Sequence, residues 1–214
     1  MLTLGKGYDI IADDMYQVSE DDIDGERQNL LQPPLIESQK ISLLDFVYSN
    51  VTKSGRTRAE LGFIKPLIKM SIINDYKLRY QEHMRLGEDY ELYTRLLANG
   101  AQMILLPAQG YVSVRRENSL SGQHSIQDLK HLRDCNSAIL EDLELEPQAR
   151  KALYAHYKSI DCRYQWRVLI EAVKDRDIKA CVGCFFRPWP VPFYLVGQLL
   201  EQLIVRSLSK LKKS

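Results

Sequence analysis

At about residue 122 the apolar pattern of this chain changes, and that change limits its fold more than any other feature. Before it, strand-like and helix-like stretches alternate. Residues 8–12, Tyr8-Asp9-Ile10-Ile11-Ala12, read as a buried strand that ends in Asp13-Asp14. Residues 17–40 are polar, with Pro33-Pro34, and read as a loop. Ser42-Leu43-Leu44-Asp45 forms a capping box that opens a short helix through Tyr48. Pro66 argues against an uninterrupted helix or a central strand over 61–70. Gly87-Glu88-Asp89 opens the clearest helix: Leu92, Leu96 and Leu97 share a stripe, Glu91 and Arg95 are spaced for an ion pair, and Gly100 suits a left-handed cap. Strands follow at 102–106 and 111–115. After residue 122 the spacing is helical throughout. Ser125 caps one helix, and Pro147 starts a second that runs to about Val173. The pattern predicts an α/β region over 1–122 and a helical extension over 123–214. One strand cannot make a parallel sheet, so a buried strand at residue 8 carries the expectation that the chain begins inside a longer fold, through truncation or a wrongly assigned start.

Composition removes several function classes. The chain has 214 residues, 45% of them hydrophobic, which is enough for one substantial core with a satellite. A net charge of +1 excludes a globally basic nucleic-acid binder, so no nucleic-acid partner is expected. The four cysteines form no dense framework, which points to a reducing compartment. Cys181 and Cys184 form a Cys-x-x-Cys without a second ligand pair, and read as two buried or interfacial thiols. No leader pattern and no run of about 18 apolar residues is visible.

Chemistry concentrates between Gly87 and Gly122. Glu88 and Asp89 fall in a helix's first turn, where the macrodipole favours negative charge. A carboxylate there either accepts a proton from a hydroxyl or only stabilises the helix end, and spacing leaves both open.

The order of four segments narrows the choice. Gly87-Glu88-Asp89-Tyr90-Glu91-Leu92-Tyr93, with Arg95-Leu96-Leu97 and Gly100-Ala101, resembles the Glu-Asp motif region of family 2 glycosyltransferases of GT-A fold, of the bacterial exopolysaccharide (succinoglycan-biosynthesis) type. Ile11-Ala12-Asp13-Asp14 resembles the strand that follows the metal motif in that group. Gly62-Phe63-Ile64-Lys65-Pro66-Leu67-Ile68 resembles its Leu-Lys-Pro-Leu segment, and Arg116-Glu117-Asn118-Ser119-Leu120-Ser121 its Arg-x-Asn-Ser-Leu-Ser end. The resemblance covers residues 8–122 and fades after about 125. It implies a partial GT-A mixed sheet, the C-terminal part of a nucleotide-diphospho-sugar transferase. It also implies transfer of a sugar, with inversion, from a nucleotide-sugar donor to a glycan or lipid-linked acceptor in exopolysaccharide biosynthesis. By the same resemblance Asp89 is the catalytic base, Glu88 flanks it, and Arg115, Arg116 and Ser119 bind substrate. A divalent metal (Mg or Mn) belongs to the full-length enzyme. Asp13 and Asp14 match the later strand rather than the metal motif, so this chain alone is expected to bind none. The alternative is a non-catalytic remnant that binds a membrane or a partner.

Residues 188–214 place Trp189 and Phe193 ahead of Leu199, Leu200, Leu203 and Ile204, with Lys210, Lys212 and Lys213 behind. This amphipathic helix fits an anionic bilayer surface, and it equally fits packing on the protein's own core. The protein is expected in the cytoplasm, and the first option places it peripherally on the inner face of the cell membrane.

Overall fold

The computed structural model describes residues 7–51, 60–116 and 124–211, with backbone alone for 209–211. The chain is mixed α/β with helices at its C-terminal end, as the pattern predicts. It forms two compact units, Met1–His156 and Tyr157–Ser214.

The first unit contains two small sheets. Strands β1 (Ile10–Asp13) and β2 (Tyr16–Ser19) follow one another along one track. Strands β6 (Met103–Leu106) and β7 (Val112–Arg115) follow one another along a second. The tracks run parallel: Ile10 lies opposite Met103, and Tyr16 opposite Val112. The remaining strands are antiparallel additions. β4 (Gln39–Ile41) joins β6, β5 (Leu67–Ile68) joins β1, and β3 (Gln28–Asn29) joins β2. The resulting orders are β4-β6-β1-β5 and β3-β2-β7.

The expected loop at 17–40 therefore holds parts of three strands. Their partners lie far away in sequence, and the side chains of Gln28, Gln39 and Lys40 are exposed on edge strands, so no apolar alternation marks them. Pro66 sits just before the edge strand β5, where a missing N–H costs no ladder bond.

Helices connect and follow these strands. α1 (Leu43–Ser49) has the expected capping box: the Asp45 N–H donates to Ser42 Oγ at 3.1 Å, and the Ser42 N–H donates to Asp45 Oδ2 at 3.1 Å. α2 (Met70–Asp75) follows β5, and α3 (Glu88–Ala98) leads into β6. α4 (Ile126–Asp142) carries a second capping box, on Ser125 and Asp128, and α5 (Pro147–Lys174) starts on the expected proline. Val47, Ile139, Ala152 and Leu153 form one cluster of the core.

The second unit comprises the rest of α5, α6 (Ile178–Phe185) and α7 (Val191–Leu211). Its core gathers Cys162, Leu169, Cys184, Val191 and Leu195. The periodicity did not predict α6, whose start is marked by Asp177: its carboxylate accepts from the Ala180 N–H at 2.9 Å. Cys181 and Cys184 lie one turn apart on α6. Cys184 is buried in this core and Cys181 packs beside it. Among the described residues no helix is long and apolar enough to cross a membrane.

Candidate active site

The site begins at a glycine. Gly87 precedes α3 in the left-handed region, at φ 74° and ψ 20°. A Cβ on it would stand 2.7 Å from Leu132 Cδ1 of α4. Two independent constraints, backbone hand and close helix approach, thus select glycine here. Gly87→Ala is expected to cost roughly 1–3 kcal/mol, from strain and overpacking together. Gly100 also has a positive φ, of 94°, but a Cβ there meets nothing within 4 Å. Gly100→Ala should therefore cost less. Denaturant midpoints compare the two directly, and equal losses would mean that the Leu132 contact contributes nothing.

From this start, Asp89 points to a small polar cluster. Lys65 Nζ lies 2.5 Å from Asp89 Oδ2, and the Tyr80 hydroxyl donates to Oδ1 at 2.9 Å. The Asp89 side chain keeps 17% of its exposure, so it is mostly covered yet open to solvent. One turn along α3, Tyr93 is buried, and burial pushes its phenol well above the ordinary tyrosine range, reinforced by the negative charge of Asp89 and by Tyr80. The Tyr80 phenol is also raised, by burial first and then by its hydrogen bond to Asp89. Both phenols are thus protonated donors at neutral pH. Glu88 is half-buried and makes no hydrogen bond or ion pair among the described residues.

Lys65 reaches Asp89 because its segment is held on both sides. Before it, Leu61–Phe63 forms a 3-10 turn in which the Gly62 N–H donates to Asn50 Oδ1 at 3.2 Å, and Leu61 and Ile64 are buried. After it, β5 pairs with β1. α3 is fixed by its inner face. The Tyr90 ring stacks on Phe46, with centroids 5.7 Å apart, and lies 4.2 Å from the His156 ring. The Tyr90 hydroxyl donates to Asn136 Oδ1 at 3.4 Å, and His156 Nδ1 lies 3.0 Å from the same oxygen. Glu91 and Arg95 form the expected pair, here with Glu91 buried.

Arg115 and Arg116 have other partners. Arg115 donates to Gln17 of β2, and Arg116 Nε lies 3.8 Å from Glu20 Oε1. No hydrogen bond or ion pair among the described residues joins these arginines to Asp89. Ser119 lies outside the described residues. Asp14 is fully buried: its Oδ1 accepts the N–H groups of Met15 and Leu31 at 2.8 and 3.2 Å, and its Oδ2 accepts Asn29 Nδ2 at 2.8 Å. Asp13 Oδ2 accepts the Gln109 N–H at 3.0 Å. These carboxylates hold the β3 and β6–β7 turns. Among the described residues no group of three or more metal-ligating side chains comes together.

Sequence reasoning did not name Lys65, Tyr80 or Tyr93 as site residues. Lys65 lies within a segment noted for its resemblance and for the proline that follows it. Tyr93 follows Asp89 by four residues, a spacing that shares one helix face and could have drawn attention. Tyr80 sits in a stretch with no apolar period, and nothing in the sequence marks it.

No family model matches the chain. An α/β chain whose helix-start carboxylate is held by a lysine and a tyrosine is, by sequence, similar to bacterial succinoglycan-biosynthesis proteins. Succinoglycan biosynthesis protein ExoU of Rhizobium meliloti (strain 1021) is 37% identical over 163 residues, which are 76% of this chain and 48% of that protein. Succinoglycan biosynthesis protein ExoO of the same strain is 27% identical over 173 residues, 80% of this chain and 48% of that protein. The chain thus spans about half the length of these curated relatives.

Proposed function

We propose that this chain is the C-terminal part of an inverting glycosyltransferase of exopolysaccharide biosynthesis, of family 2 and GT-A type, with Asp89 as its base. The observation that carries the reading is the Lys65–Asp89 contact at 2.5 Å. Two segments that separately resemble the family meet there, 24 residues apart in sequence. Similarity to two succinoglycan-biosynthesis proteins supports the polymer class.

In this reading, the Asp89 carboxylate takes the proton of an acceptor hydroxyl while that oxygen attacks the anomeric carbon of the donor sugar. The new carbon–oxygen bond forms as the bond to the nucleoside diphosphate breaks, and the leaving group departs with the electron pair. Attack opposite the leaving group inverts the anomeric centre. A carboxylate offers about four lone-pair positions. Lys65 and Tyr80 occupy one on each oxygen and fix the orientation, which leaves capacity for the acceptor hydroxyl. Glu88 would orient the acceptor, and Arg115, Arg116 and Ser119 would face the donor. The metal that the resemblance implies would be held by residues outside this chain. The reading also implies a peripheral site on the inner face of the cell membrane, with a glycan or lipid-linked acceptor.

The full reading frame that carries this chain is expected to transfer labelled sugar from a nucleotide sugar to lipid-extracted acceptor. The product's anomeric configuration, read by NMR, should be opposite to the donor's. Retention, or no transfer from any common nucleotide sugar, would remove the proposal.

A further inference from the structure

The second unit carries an apolar helix face directed away from its own core. Val191 and Leu195 of α7 are 2% and 0% exposed and define the packed stripe. One and two turns on, at the helical spacing of that stripe, stand the polar Gln198 and Gln202. The opposite face is mainly apolar, interrupted by Gly197 and Ser207: Phe193, Val196, Leu200, Leu203, Ile204 and Leu208 are between 47% and 66% exposed. Trp189, 63% exposed, packs at a tilt against Phe193, 4.4 Å between centroids, and extends this face at its start. Charge follows the same segment. Residues 186–214 hold five cations, Arg187, Arg206, Lys210, Lys212 and Lys213, against the single carboxylate Glu201, in a chain whose net charge is only +1.

We infer that α7 docks this unit flat on an anionic lipid bilayer, with Trp189 and Phe193 entering the headgroup boundary and the net positive charge of the segment favouring the anionic surface. This deepens the peripheral placement proposed above and stands independently of sugar transfer. Two observations favour a bilayer over other occupants. The mainly apolar arc covers about half the helix circumference, wider than the two-in-seven seam of a paired coil. Gln198, Glu201, Gln202 and Arg206 interrupt the segment, and among the described residues no helix is long and apolar enough to cross a membrane.

The test is co-sedimentation of the 214-residue chain with vesicles of phosphatidylglycerol mixed into phosphatidylcholine, against pure phosphatidylcholine, with a light-scattering mass measured beforehand. Binding should be at least about tenfold stronger to the anionic vesicles and should weaken with salt, because each basic residue near such a surface contributes about fivefold. Leu200→Glu/Ile204→Glu should lower vesicle binding at least about tenfold, since apolar area drives insertion. Both positions are more than half exposed, so the circular dichroism spectrum should not change. A wild-type chain that stays in the supernatant with anionic vesicles would overturn the inference. So would a double variant that pellets like wild type, or equal binding to both vesicle types. A vesicle-free dimer that the double variant splits would reassign the face to self-association and overturn it as well.

Discussion

Asp89→Asn, made in the full reading frame, is expected to lower the rate of sugar transfer by about 10²–10⁴ while leaving donor affinity nearly unchanged. Asparagine keeps the size of the side chain and can still accept from Tyr80, but it cannot take a proton at neutral pH. The base touches the acceptor oxygen and not the nucleotide, so KM for the donor should hold while kcat falls. Glu88→Gln provides the contrast. Glu88 makes no hydrogen bond or ion pair among the described residues and flanks the reacting position, so its loss should cost less. Folding is separable from chemistry. As a helix-end charge alone, Asp89 would be worth about 0.3–1 kcal/mol of stability, and the folded fraction would keep its turnover. Near-normal turnover of Asp89→Asn would end the assignment of Asp89 as base.

Much of this arrangement was legible in the sequence where local rules dominate. Both capping boxes, on Ser42 and Ser125, are intrahelical and depend on residues three apart, so the chain states them outright. The Glu91–Arg95 pair and the proline that starts α5 are local in the same sense. What the sequence hid is long-range. β3 and β4 exist because distant partners accept them, and their own residues are polar. Lys65 and Tyr80 reach Asp89 from separate segments, a meeting fixed by the burial of Leu61 and Ile64 and by the β5–β1 pairing. Asp14 shows the same division: the sequence places it in a strand-end carboxylate pair, while its hydrogen bonds to Asn29 and Leu31 depend on a turn that no local pattern marks.

Phe46→Ala is expected to be the most destabilising single truncation near the site, at about 3–5 kcal/mol. Phe46 is 0% exposed and touches two residues of the helix that carries Asp89. Its ring stacks on Tyr90 at 5.7 Å and meets Tyr93 edge-on at 6.1 Å. Aromatic pairs of this geometry add about 0.5–1.5 kcal/mol beyond the area they bury. Removal would leave a cavity between α1 and α3, bounded by the stacked Tyr90 and by Tyr93, whose hydroxyl lies in the Asp89 cluster. Domains of this size are stable by only about 5–15 kcal/mol, so the loss should shift the denaturant midpoint far toward water. Phe46→Leu refills most of the volume without the ring faces and should recover the larger part of the loss. Hydrogen exchange supplies a second readout: amides of α3 should lose more protection than those of α7, which lies in the other compact unit. A loss below about 1 kcal/mol for Phe46→Ala would mean that α1 contributes little to holding α3.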